Sequence, residues 1–80
     1  MAIYLEIRKA AEDDQQAIYI FSREDGAQGE LLIRKRTGEI ELKAAMPGDS
    51  EEKGLWLRAA HKIRSHWRAG EFPEVMTWAA

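Results

Sequence analysis

Residues 49–70, DSEEKGLWLRAAHKIRSHWRAG, decide the fold. Trp56, Ala60, Ile63 and Trp67 recur at i, i+4, i+7 and i+11, the spacing of one helix face, and Ala59 widens that stripe. Arg58, His61, Lys62, Arg64, Ser65 and Arg68 turn the other way. Pro47-Gly48 precedes the segment, and Asp49 stands three residues before Glu52. That spacing lets one carboxylate accept a backbone N–H while the other reaches back. Gly70 supplies a stop, with Pro73 shortly behind it. The spacing predicts a helix over about 50–69 whose apolar stripe needs a surface to cover.

The chain before it supplies that surface as strands. Ile3, Leu5 and Ile7 alternate with Tyr4, Glu6 and Arg8, a half-buried strand over about 3–9. Residues 10–16 form a polar connection in which Glu12, Asp13 and Asp14 are adjacent. Calcium loops need alternating ligands and a turn glycine, so these acids read as a solvated loop. The second strand, about 17–23, is apolar on both faces, with Ile18 and Ile20 on one and Tyr19 and Phe21 on the other. Asp25-Gly26 marks a turn. Strands over about 30–36 and 39–45 follow, joined at Thr37-Gly38. With those two as the loop, Arg36 would face Glu39, Arg34 Glu41, Ile33 Leu42 and Leu31 Ala44. A glycine bulge at the turn is the competing geometry.

The expected architecture is α+β: a four-stranded antiparallel meander, ββββα, with the helix across one face, in a single domain over 1–80. The stripe would cover Ile3, Leu5, Ile7, Ile18, Ile20, Ile33, Ile40 and Leu42. A tail over 71–80 follows, and its Phe72, Val75, Met76 and Trp78 are too apolar for a free end.

Composition narrows the function classes. Eighty residues bury a thin core, and no cysteine supplements it with a disulfide or thiolate metal site. Fourteen acids against twelve bases argue against a protein that coats DNA non-specifically. The start, Met1 to Glu6, has no basic region or hydrophobic stretch of a signal peptide, and no apolar run could span a bilayer. A cytoplasmic protein is expected. His61 and His66 are five residues apart on the helix, which separates them by roughly 140° and prevents a shared metal. No nucleophile elbow, phosphate loop or metal signature occurs. No catalytic residue, cofactor or metal is therefore assigned, and an enzyme ranks last.

Two surfaces are candidates. The sheet face away from the helix would carry Tyr4, Tyr19, Phe21 and Leu32 with Arg8, Arg23, Arg34 and Arg36 near them. Such a patch calls for a cover: the tail, a second copy, or bases of single-stranded nucleic acid with arginines on the phosphates. The second surface is the outer helix face, Arg58, His61, Lys62, Arg64 and Arg68, where from Lys53 to Gly70 there are five cations and no acid. Matching to the helix dipole explains part of that pattern; docking on something acidic is the functional reading. Four strands followed by a helix is similar, in element order and without shared motifs, to the unit of the single-stranded nucleic-acid binding Whirly and PUR families. The leading expectation is a small non-catalytic macromolecule-binding protein with a protein partner, foreign or its own copy. Single-stranded nucleic acid is the alternative, and no membrane is involved.

Overall fold

The computed structural model describes residues 4–49 and 54–79. The fold is α+β, one antiparallel sheet with one helix packed on it. Its elements are β1 (Tyr4–Glu12), β2 (Gln16–Ser22), β3 (Gln28–Arg34), β4 (Ile40–Ala44), α1 (Leu55–Arg68) and β5 (Val75–Ala79). The sheet has five strands in the order β4-β3-β2-β1-β5, one more than the meander expected from sequence. The tail does not fold over a sheet face. It pairs antiparallel with β1, setting Leu5 opposite Trp78 and Ile7 opposite Met76. Alternation drives this: Met76 and Trp78 join the core side, while Val75, Thr77 and Ala79 stay more exposed. The expected strand residue Ile3 and residues 50–53, with Glu52 and Lys53, lie outside the described residues; the helix expected from 50 begins at Leu55, because Gly54 before it is extended. No described helix is long and apolar enough to cross a membrane.

The largest correction concerns β2. Ile7 pairs with Phe21, Lys9 with Tyr19, and Tyr19 in turn with Leu31. Tyr19 and Phe21 therefore face the helix with Leu5, Ile7, Leu31 and Ile33, all fully buried. Ile18 and Ile20 take the open face. Gly29 makes this facing possible. It sits opposite Phe21, and a Cβ built there would clash with Cζ of the Phe21 ring and lie 2.9 Å from the Ala44 carbonyl oxygen. A bare strand glycine leaves room for the ring to lie across its neighbour.

The β3–β4 hairpin also differs from the two-residue loop. Arg34 closes it, its carbonyl accepting from the Gly38 amide at 2.8 Å and its amide donating to the Glu39 carbonyl at 2.9 Å. Ile33 consequently pairs with Ile40 and Leu31 with Leu42, and a bulge follows before Glu30 meets Ala44. Gly38 has φ +76°, in the region that favours glycine. The competing glycine geometry thus replaces the tight turn.

The helix stripe is as expected: Ala59, Ala60 and Ile63 are buried, with Trp56 and Trp67 packed partly buried against the core. Asp49 does cap the helix, though further along than a capping box would. Its carboxylate accepts the amides of Leu55 at 2.8 Å and Trp56 at 3.2 Å. At the other end Trp67 Nε1 donates to the Lys35 carbonyl at 2.7 Å, and the indole lies flat on Gly38. The chain then returns under the sheet, where the Tyr19 hydroxyl donates to the Pro73 carbonyl at 2.9 Å.

A bulge in β1 closes that end of the core. Lys9 pairs with Tyr19 but Ala11 with Ile18, so Ala10 is extra and the side-chain alternation flips. Lys9 and Glu12 then share the helix side. Lys9 Nζ lies 2.6 Å from Glu12 and 3.4 Å from Glu74, and Lys35 Nζ lies 2.6 Å from Glu12 and 5.0 Å from the Phe72 ring centre. Hydrogen bonds from Lys35 and Lys9 hold the Glu12 carboxyl below its ordinary range, and the Glu12 hydrogen bond raises Lys9.

Two outcomes follow from this packing. Gly38→Ala must enter a backbone region unfavourable to alanine while displacing Trp67, and is expected to lose at least about 1–3 kcal/mol in urea unfolding. Burial pushes the Tyr19 phenol up from 10.0 to about 12. Its contribution to stability is complete below pH 10 and disappears as pH rises through about 12. Lys9, also raised, acts in the same direction, whereas lowered Glu12 contributes above its ordinary pKa and loses that contribution on acidification. Thermal melts from pH 9 to 12 should fall through that alkaline window, and less steeply in Tyr19→Phe.

Candidate functional site

The eight residues expected on one sheet surface do not come together. Tyr19 and Phe21 are core. Tyr4, Arg8, Leu32 and Arg34 do lie on the open face, with Ile18 and Ile20 replacing the aromatics. Leu32 is only 5% exposed, so it offers little to a partner. The arginines are engaged. Arg8 is 2.8 Å from Glu6, and Arg34 is 3.6 Å from both Glu39 and Glu41. Arg23 lies at the sheet end, 3.2 Å from Asp25 and 3.4 Å from the Pro47 carbonyl. Arg36 stands at the β3–β4 turn, lining an open cleft of about 470 Å³ with Asp14, Gln15, Arg34 and Thr37. This face has neither an aromatic platform nor a concentrated charge, because its cations alternate with Glu6, Glu30 and Glu41.

The other acids have local tasks as well. The Asp13 carboxylate accepts the amides of Gln15 and Gln16 at 2.8 and 2.9 Å, closing the β1–β2 turn. The Ala27 amide donates to Asp25 and, with Arg23 beside it, holds that carboxyl below its usual range. Among the described residues no three of His, Cys, Asp or Glu are grouped to hold a metal.

The helix surface is as the sequence places it. Arg58, His61, Arg64 and Arg68 are exposed and Lys62 is half-exposed. Two of these have structural roles: the Arg58 guanidinium lies 5.6 Å from the centre of the Trp78 ring, and Arg64 Nε donates to the Gly38 carbonyl at 3.2 Å. The side chains of His61, Lys62 and Arg68 have no ion pair or hydrogen bond with a described residue. His66, on the flank, is 3.3 Å from Glu71 and stands apart from the surface. One member escaped the sequence reading. Leu57 is 40% exposed beside Arg58 and His61, outside the apolar stripe, where a large aliphatic side chain gains nothing from the core.

The electrical pattern of the whole chain sharpens this surface. Four of the twelve Lys and Arg residues, and none of the fourteen acids, fall on α1. Eight cations against fourteen acids remain elsewhere, so a net-acidic molecule presents one cationic ridge. At 1.5 Å per residue, the fourteen-residue helix makes that ridge about 20 Å long. The dipole favours Arg68 in the last turn but disfavours Arg58 in the first, so capping electrostatics alone do not produce it.

No protein-family model, curated protein or solved structure matches this chain.

Lys62→Glu with Arg68→Glu should leave the fold intact, because neither side chain has an ion-pair or hydrogen-bond partner among the described residues. A loss of about 0.3–1 kcal/mol per reversal is expected from helix electrostatics. Arg58→Glu should lose more, since it also removes the contact over Trp78, worth about 0.5–1 kcal/mol. Denaturant unfolding of the variants checks the order.

Proposed function

We propose that this chain is a small non-catalytic binding protein that docks the outer face of α1 on an acidic surface of a partner protein, in the cytoplasm. The observation that carries the reading is the segregation of charge: a cationic, acid-free helix on a chain that is otherwise strongly acidic. Complementary potentials of this kind steer encounter and set orientation. Leu57 supplies an apolar anchor among the charges, as interface centres require. A protein suits the ridge better than nucleic acid does. A strand longer than the helix would run onto the acidic remainder, where phosphates are repelled.

Titration with poly-L-glutamate, read by amide chemical shifts and compared with a single-stranded oligonucleotide of equal charge, tests the reading. Shifts should concentrate on residues 57–68, weaken with salt, and be preferred with the polypeptide. Lys62→Glu with Arg68→Glu should reduce affinity by about tenfold, the effect of roughly 1.4 kcal/mol. Binding that leaves the helix unperturbed, or that favours the oligonucleotide, would contradict it.

A further inference from the structure

We infer that the outer edge of β5 is a self-pairing edge, at which two copies join β5 to β5 antiparallel about a twofold axis through Thr77. The inference does not depend on the helix face docking a partner.

The phase of the strand carries it. The Lys9 amide donates to the Glu74 carbonyl at 2.8 Å, so residues 9 and 74 form a hydrogen-bonded pair. Antiparallel pairs alternate between bonded and non-bonded, and the register sets Ile7 opposite Met76 and Leu5 opposite Trp78. Glu74, Met76 and Trp78 therefore direct their backbone groups at β1. Val75, Thr77 and Ala79 direct theirs outward, away from the sheet. In a twofold arrangement through Thr77, Val75 pairs with Ala79 of the second copy and Thr77 with itself. All three outward amides and all three carbonyls are then used.

The edge is also undefended. Exposed edges are ordinarily blunted by charge, proline or a bulge. β4, the opposite edge, has both Glu41 and Lys43 and a bulge. β5, reading Val-Met-Thr-Trp-Ala, has no charge, no proline and a continuous register with β1.

The same arrangement brings opposite charges together. Glu74 lies on the helix side, 82% exposed at its side chain and only 3.4 Å-bonded to Lys9. Across the pair it falls diagonally from the second copy's Trp78, the ring over which Arg58 sits. The twofold repeats that complementarity. A five-residue strand pair is a small contact, so the dimer is weak and concentration-dependent.

Sedimentation of the full chain from about 10 μM to about 1 mM, with hydrogen exchange at both ends of the range, tests the proposal. The mass should rise from 9.2 kDa toward twice that value. Exchange at Val75, Thr77 and Ala79 should slow with concentration, while Met76 and Trp78 are protected throughout. Thr77→Lys and Thr77→Glu, exposed substitutions whose folding is verified by circular dichroism, each set like charges opposite each other. Each should weaken self-association roughly fivefold to tenfold, and an equimolar mixture of the two should restore it. A protein that stays at 9.2 kDa throughout overturns the proposal. So does a dimer whose exchange at 75, 77 and 79 ignores concentration, or one that forms equally well in Thr77→Lys.

Discussion

The contact on which the rest of the structure depends is the Phe21 ring lying over Gly29. A glycine inside a strand is a local liability of about 0.5–1 kcal/mol relative to alanine. Here it creates the space that turns β2 so that Tyr19 and Phe21 point at the helix. Once they do, the core gains its two largest fully buried side chains, and the Tyr19 hydroxyl is in reach of the Pro73 carbonyl. The return segment after α1 is thereby tied to the sheet and delivers β5 to its place beside β1.

Two interruptions of the strand pattern complete the seal around that core. The extra Ala10 in β1 brings Glu12 onto the side of Lys9, where Lys35 joins it. The left-handed Gly38 gives Trp67 a flat seat and leaves its own carbonyl available to Arg64. The helix is thus fixed at its start by the Asp49 carboxylate and at its end by the indole. Its outer face is left with few structural duties: the side chains of His61, Lys62 and Arg68 have no ion pair or hydrogen bond with a described residue.

Much of this was legible in sequence. The helix stripe, the hairpin at Asp25-Gly26 and the cationic outer face follow directly from spacing, since periodicity is strong where one side of an element is polar. β2 was not legible, because apolar residues occupy both of its faces and alternation has nothing to choose between. The tie-breaker lay in another strand, at Gly29, and acts only through register. The tail carried a readable signal, the alternation of Val75, Thr77 and Ala79 with Met76 and Trp78. Its position after the helix concealed that it would pair with the first strand rather than cover a face. The expected aromatic–arginine surface disappeared with the facing of β2, and with it the ground for base stacking on the open sheet.

The two surfaces proposed for recognition, the cationic helix face and the outer edge of β5, surround a core that draws its aromatics inward. A double-mutant cycle between Phe21 and Gly29 tests that core most directly. Gly29→Ala should destabilise by about 1–3 kcal/mol through overpacking. In a Phe21→Leu background, where the ring is gone, the same substitution should lose less, with a coupling of at least about 0.5–1 kcal/mol. Strictly additive effects would mean that Phe21 does not lie over Gly29, and that β2 turns its aromatics to the other side.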